Sequence, residues 1–427
     1  MSVPVHSGIS KGMRNTEHLW SRKMVKIMET ACIENTNRIA CGTINALLHR
    51  EGSTQSLKLR TMTDLCDRHG KEVEEYQEQR AKSVLQRYGW NPETGLLQEG
   101  ATVPEGILPP LKEGEGEEAP DSRIACLIGD INEKREGRAR IPEESKKPYD
   151  VESPDEAVVE VCLDGVLAKR QSAHRPADGK TKRTGQRPRV ETSVAHIRVN
   201  GKRYILTAHD MRGLCVLTLA FLLQSGLLVN RQLILFSDGA TEIKDCVDEI
   251  FAFCRHHVVL DWFHLRKHCY EALSMTLKSG KSNKETRSQI MGNLMNILWV
   301  GNVTGAIEYL MKLSSDCVKS EENRRKLIRY LQNKESVIAC YAVRRRLGLR
   351  ISSNAVEKAN DLTVAKRQKH QGMSWSYHGS WHFAALTALY LNHEDEIWHK
   401  SASLSFKMLP VSPPKTVAIL PVAPSIK

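Results

Sequence analysis

Two short apolar runs, each closed by Asp-Gly, constrain this chain more than any other feature. The first, DEAVVEVCLDG, gathers Val158, Val159, Val161 and Leu163 and ends at Asp164; the second, RQLILFSDGA, ends at Asp238. Runs of this length and β-branched content predict buried strands. Between them, SVAHIRVNGKRYILTA alternates about Asn200-Gly201, a dipeptide favoured in two-residue hairpin turns. DMRGLCVLTLAFLLQSG then has the length and apolarity of a buried helix, with Gly226 near its end. Beyond Asp238, TEIKDCVDEIFAFC has helical spacing, and HHVVLDWFH predicts a third strand that ends at Asp261, with Trp262 in its core.

Strand, hairpin, helix, strand, helix, strand is the connectivity of a ribonuclease H-like core, a mixed sheet flanked by helices. A doubly wound sheet also alternates strand and helix, but the early hairpin favours the first. The expected fold class is therefore α/β, with a ribonuclease H-like core whose first part spans 151–264. A long all-helical insertion over 265–350 interrupts it, and 351–400 completes it with a helix bearing Glu357. A mostly helical region over 1–97, a candidate DNA-end-binding domain, precedes the core. Residues 98–150 include PEGILPPLKEGEGEEAPDS and predict a linker. The segment 401–427 holds five prolines and no acid, and predicts an extended tail.

Composition narrows the function. Across 427 residues, 41% are hydrophobic, ample for a sizeable core. Lys plus Arg number 62 against 50 Asp plus Glu, and the resulting charge of +12 points to a polyanionic partner, nucleic acid first. The longest apolar run, Leu214 to Val229, is broken by Thr218, Gln224, Ser225 and Gly226 and falls short of a bilayer span. The opening MSVPVHSGIS has no signal-peptide core. Eleven cysteines without a C-x-x-C pair indicate neither a disulfide framework nor a thiolate zinc site, so a soluble protein of a reducing compartment is expected.

A carboxylate at a strand end faces the crevice where open sheets bind ligands, and an adjacent Gly allows close approach by a phosphate. Asp164 and Asp238 share that placement, and Glu357 would complete a trio able to bind two Mg²⁺ or Mn²⁺ ions through oxygen. A lone Asp-Gly is usually just a turn. Glu357 also falls three residues after Asn354, the spacing of a capping box. His264 and His268 lie one helical turn apart, a possible metal pair lacking an evident third ligand.

The cations cluster after Asp164, with Lys169 and Arg170 first; at Arg344, Arg345 and Arg346; and at Lys366, Arg367 and Lys369. Such runs are ordinarily solvated faces, but three of them flank the acids and suit DNA phosphates. Trp375 either stacks on a base or packs the last helix on the sheet, and Trp381 is expected to pack.

Taken together, VCLDG, LFSDGA, VVLDWFH and SSNAVEK with RQKHQGMSWS behind it resemble the DDE transposases of bacterial insertion sequences. The nearest look is to the Kra and Lre groups, relatives of the Mutator-type transposases. The resemblance spans roughly residues 156–400, and its most specific block is the Glu-bearing helix followed by G-M-x-W-S. It implies that Asp164, Asp238 and Glu357 are the catalytic, metal-binding trio, served by two Mg²⁺ or Mn²⁺ ions. It also implies an accessory D-x-x-H pair in Asp261 and His264, which positions DNA or an acid; a buried structural pair is the plainer alternative. Terminal inverted repeats and target DNA would be the partners, met by a homo-oligomer in the bacterial nucleoid. The first 150 residues and the basic loop after Asp164 match nothing in that family. A nuclease of the same fold and a domesticated DNA-binding protein stay open as alternatives, the intact trio weighing against the second.

Overall fold

The computed structural model describes residues 20–54, 56–110, 122–142, 158–171, 188–278 and 284–411. Asn200 and Gly201 both take left-handed backbone, φ 47° and 67°, and close a tight hairpin between β2 (Arg189–Val199) and β3 (Lys202–Ala208). On the other side of β2 lies β1 (Val158–Lys169), antiparallel to it. Strand β4 (Gln232–Ser237) pairs parallel with β1, and β5 (His256–Leu260) parallel with β4. A two-residue β6 (Leu409–Pro410) joins the far edge, giving a mixed sheet of order β5-β4-β1-β2-β3-β6. Leu233 to Ser237 are all buried, as expected of a strand covered on both faces. The crossovers are α5 (Met211–Gln224), capped by Asp210 accepting from Gly213 N at 2.7 Å, and α6 (Thr241–Ile250).

Among the described residues from 262 to 350 the chain is helical and without strands: α7 (Trp262–Thr276), α8 (Lys284–Trp299), α9 (Val303–Met311), α10 (Glu321–Asn333) and α11 (Tyr341–Arg346). Trp262 opens α7 instead of lying in a strand, because Asp261 caps the helix; the ring is still core, 4.8 Å from Trp299 and 4.9 Å from Tyr341. The segment bearing Glu357 is not one helix. Helix α12 (Asn354–Asn360) passes into a π-helix over Asp361–Lys369, and α13 (Tyr377–Leu391) and α14 (Asp395–Ser401) follow.

Helices α1 (Arg22–Glu34), α2 (Asn37–Arg50) and α3 (Leu59–Tyr88) form the helical N-terminal region. They are not a detached module. Met28, Met62 and Leu65 share one apolar cluster with Phe383, Leu386 and Leu389, and any Cβ at Gly70 would run into the backbone of His382. The buried carboxylate of Glu29 on α1 meets His69 of α3, His399 of α14 at 3.1 Å and the Tyr390 hydroxyl of α13 at 2.7 Å. Burial opposes ionisation of Glu29, but the His399 and His69 contacts outweigh it and hold the carboxyl down at about 2.

The stretch expected as a linker contains α4 (Ser122–Glu133), whose Ile131, with Ile141 just beyond it, packs on Val300 and Val343. Asn230 N and Arg255 N donate to the carbonyls of Gly106 and Leu108, each at 2.7 Å. The acidic Gly-Pro composition that suggested a linker falls mainly on 111–121, outside the described residues, whereas the rest carries buried isoleucines. No helix among the described residues is long and apolar enough to cross a membrane.

Candidate active site

Asp164 does not end its strand. Antiparallel pairing with β2 carries β1 on to Lys169 opposite Arg189, so Gly165 is extended, facing Glu191, rather than in a turn. What ends near Asp164 is the parallel partner. Pairing of β1 with β4 stops at Cys162 opposite Phe236, and the same register two residues on sets Asp164 opposite Asp238. Asp238 does terminate β4, and Gly239 turns the chain there with φ 93°, a conformation open to glycine. A Cβ on Gly239 would stand 2.7 Å from Leu260 Cδ1. Asp238 Oδ1 accepts from Ala240 N at 2.8 Å.

The third acid arrives through Asp261. This carboxylate is wholly buried. Its Oδ1 accepts from Phe263 N at 2.6 Å and His264 N at 2.9 Å, capping α7, while its Oδ2 accepts from Ser353 N and, at 2.8 Å, from the Ser353 hydroxyl. Ser353 is the N-cap residue of α12, but its hydroxyl is committed to Asp261 and makes no cap bond of its own. One buried group thus fixes the start of both helices, and they present His264 and Glu357 to each other, His264 Nε2 lying 3.2 Å from Glu357 Oε1. The capping-box expectation for Glu357 is overturned, since Asn354 is already inside the helix and Glu357 turns to His264. His268 does not join His264 at a metal; its ring stacks on Tyr330 at 3.8 Å.

Asp164 is held by two donors. Gly165 N reaches Oδ1 at 2.8 Å and Asn360 Nδ2 reaches Oδ2 at 2.6 Å. Burial pushes the Asp164 carboxyl up to about 6, opposed by the Gly165 N–H and reinforced by the negative charges of Asp238 and Glu357, with His264 acting the other way. Three acids and an imidazole from β1, the end of β4, α12 and α7 therefore share one electrostatic neighbourhood. Asn360 was not singled out from sequence. The available signal was its spacing, three residues past Glu357 and so on the same helix face.

The proposed DNA-contacting cations divide. Arg345, Arg346 and Lys369 are exposed. Lys366 is partly exposed and ion-paired to Glu34 at 2.5 Å. Lys169 and Arg170 are half-buried, the Arg170 guanidinium lying 4.1 Å over the Tyr377 ring. Arg344 and Arg367 are corrections: both are buried and face inward. Arg344 donates to the Arg350 carbonyl and lies over Phe236; Arg367 donates to the Cys32 carbonyl at 2.9 Å and to Asn37 Oδ1 at 2.6 Å. A phosphate cannot reach either side chain. Trp375 packs: its ring lies 5.3 Å from Phe383 and from Arg367, its Nε1 is buried, and its backbone N donates to the Lys169 carbonyl. Trp381 also packs, stacking on His209 at 3.9 Å and donating to the Glu191 carbonyl. The rest of the basic loop after Asp164, 172–187, lies outside the described residues.

In kind, these donors suit a hard divalent cation: three carboxylates, and the Oδ1 of Asn360, a buried amide oxygen with no hydrogen-bond partner. Their present rotamers are spent on Gly165, Asn360, Ala240 and His264. Among the described residues no three Asp, Glu, His or Cys side chains converge on a single ion.

No family profile matches the chain, and no curated protein is similar to it in sequence. A solved structure, the Drosophila P element transposase strand transfer complex, aligns over 90% of this chain and 89% of its own at 10% identity, with a TM-score of 0.20. A score that low carries no argument about fold or function.

Proposed function

We propose that this chain is a DDE-type transposase of the Kra/Lre kind, built on a ribonuclease H-like core, that cuts DNA at element ends and joins the 3′ ends to target DNA. The observation that carries this reading is that Asp238 and Glu357, from distant stretches of the chain, both bear electrostatically on Asp164. The pairing of β1 with β4 ends at Cys162 opposite Phe236, two residues short of Asp164 and Asp238, and the charges of Asp238 and Glu357 add to the burial that raises the Asp164 carboxyl. An antiparallel β1-β2-β3 unit extended on the other side of β1 by parallel β4 and β5 supports the fold assignment.

Asp164, Asp238 and Glu357 would hold two Mg²⁺ or Mn²⁺ ions, which supply the charge that activates a water or 3′-hydroxyl and stabilises the departing oxygen. Asp164, partly buried and crowded by like charge, favours a cation over remaining ionised alone. Glu357 is exposed and can leave His264 without breaking a buried contact. Asp261 and His264 act as positioning residues: the first sets the two helices, and the second keeps Glu357 near the other acids until a cation takes it. Exposed Arg345, Arg346 and Lys369 with partly exposed Lys366 contact DNA backbone. Paired element ends call for a homo-oligomer on DNA.

The test is cleavage of end-labelled DNA carrying the flanking terminal repeats, with Mg²⁺, Mn²⁺ or EDTA. Metal-dependent 3′-end cutting by wild type, followed by joining to a target plasmid and lost in Glu357→Gln, supports the reading. Equal cutting by Glu357→Gln refutes the acid's assignment, and cutting without joining leaves a nuclease.

A further inference from the structure

We infer that Asn360 belongs to the cation site itself, its Nδ2 fixing the Asp164 carboxylate and its Oδ1 supplying a fourth oxygen to a divalent cation, directly or through bound water. This rests on the transposase reading above and adds a residue to it.

Asn360 is 7% exposed, and its two amide atoms have different fates. The nitrogen donates to Asp164 Oδ2 at 2.6 Å; the oxygen is buried without a hydrogen-bond partner. Turning the amide over would set its oxygen against the Asp164 carboxylate, so the nitrogen faces the acid and the oxygen stays unmatched. Buried amide oxygens are almost always paired, and one left open on the side chain that donates to Asp164 is out of keeping with a purely structural asparagine. Its backbone asks for nothing special either: φ −56° and ψ −45° are ordinary helical values that Ala or Leu would adopt more readily. Neutral amide oxygens are common partners of carboxylates around hard cations. The helix supplies the geometry: Glu357 and Asn360, three residues apart, lie on one face of α12, so the helix that carries the third acid also clamps the first.

The experiment measures Mn²⁺ binding to the full-length, metal-stripped protein by calorimetry and electron paramagnetic resonance, without DNA, alongside thermal melts. Wild type, Asn360→Ala and the near-isosteric Asn360→Asp are compared. The assignment predicts that Asn360→Ala weakens Mn²⁺ binding about tenfold or more with its melting temperature little changed, and that Asn360→Asp binds at least as tightly as wild type. Wild-type affinity in Asn360→Ala overturns it, as does an Asn360→Asp protein as weak as Asn360→Ala. Should Asn360→Ala fail to fold, the Asp variant decides alone: Mn²⁺ binding at least as tight as wild type supports the assignment and weaker binding overturns it. A wild type that takes up no Mn²⁺ removes the metal-site reading as a whole, a result distinct from a wild type that binds but ignores position 360.

Discussion

Asp261 and Ser353, 92 positions apart, share a buried hydrogen bond of 2.8 Å between carboxylate and hydroxyl. Through it the start of α7, with His264, and the start of α12, with Glu357, become one rigid unit beside the end of β5. Asp261→Asn would turn an amide N–H toward the Ser353 N–H and hydroxyl, leaving buried donors facing a donor. The expected loss is roughly 2–4 kcal/mol of stability, read from chemical denaturation, with any cleavage activity falling alongside it. Unchanged stability would mean that the two helices are held in another way.

The two glycines that follow the strand acids should respond differently to a methyl group. Gly239→Ala meets both a left-handed backbone and Leu260, and is expected to lower stability by roughly 1–3 kcal/mol while displacing Asp238. Gly165→Ala meets only the far end of the Glu191 side chain, which can swing away, so the expected effect is under about 1 kcal/mol. Thermal melts of the two variants check the order.

Acid should loosen the contact between the N-terminal helices and the C-terminal ones. Glu29 is held at about 2, below its ordinary value of 4.5. A depressed carboxyl contributes stability that is fully present above about pH 4.5 and is lost as pH falls toward 2. At 1.36 kcal/mol per unit this is on the order of 3 kcal/mol. Denaturation midpoints between pH 6 and 2.5 should fall more steeply for wild type than for Glu29→Gln; parallel curves would contradict it.

Exposed and buried arginines should separate cleanly in binding experiments. Arg367→Ala strips donors from Cys32 and Asn37 in the interior and should cost roughly 2–4 kcal/mol of stability. Lys369→Ala with Arg345→Ala and Arg346→Ala should leave stability within about 0.5 kcal/mol per site and weaken DNA binding, with a shallower salt dependence. Retention assays across a salt series, run beside melts, distinguish the two classes.

Much of this was legible in the chain. Asn200-Gly201 announced its hairpin because few other residues tolerate two successive left-handed positions, and the apolar runs announced β1, β4 and β5. The exact place of Asp164 was not, because where a strand stops depends on its neighbours: β2 outlasts β4, and no local signal at Asp164-Gly165 reveals that. Asn354 with Glu357 read as a cap, but tertiary structure took Ser353 and Glu357 for other partners. Arg344 and Arg367 looked like their exposed neighbours, since a charge run does not say which member turns inward, and the π-helix over Asp361–Lys369 changes the face count. The helix in the supposed linker was hidden by the Pro and Gly beside it.

The central claim is that Asp164, Asp238 and Glu357 act as one cation-dependent cutting centre. Its most direct test is to assay Asp164→Asn, Asp238→Asn and Glu357→Gln in parallel on terminal-repeat DNA with Mn²⁺, with DNA affinity and melting temperature measured on the same preparations. The account predicts that all three lose cleavage while keeping DNA binding. Wild-type cleavage in any one of the three would contradict it.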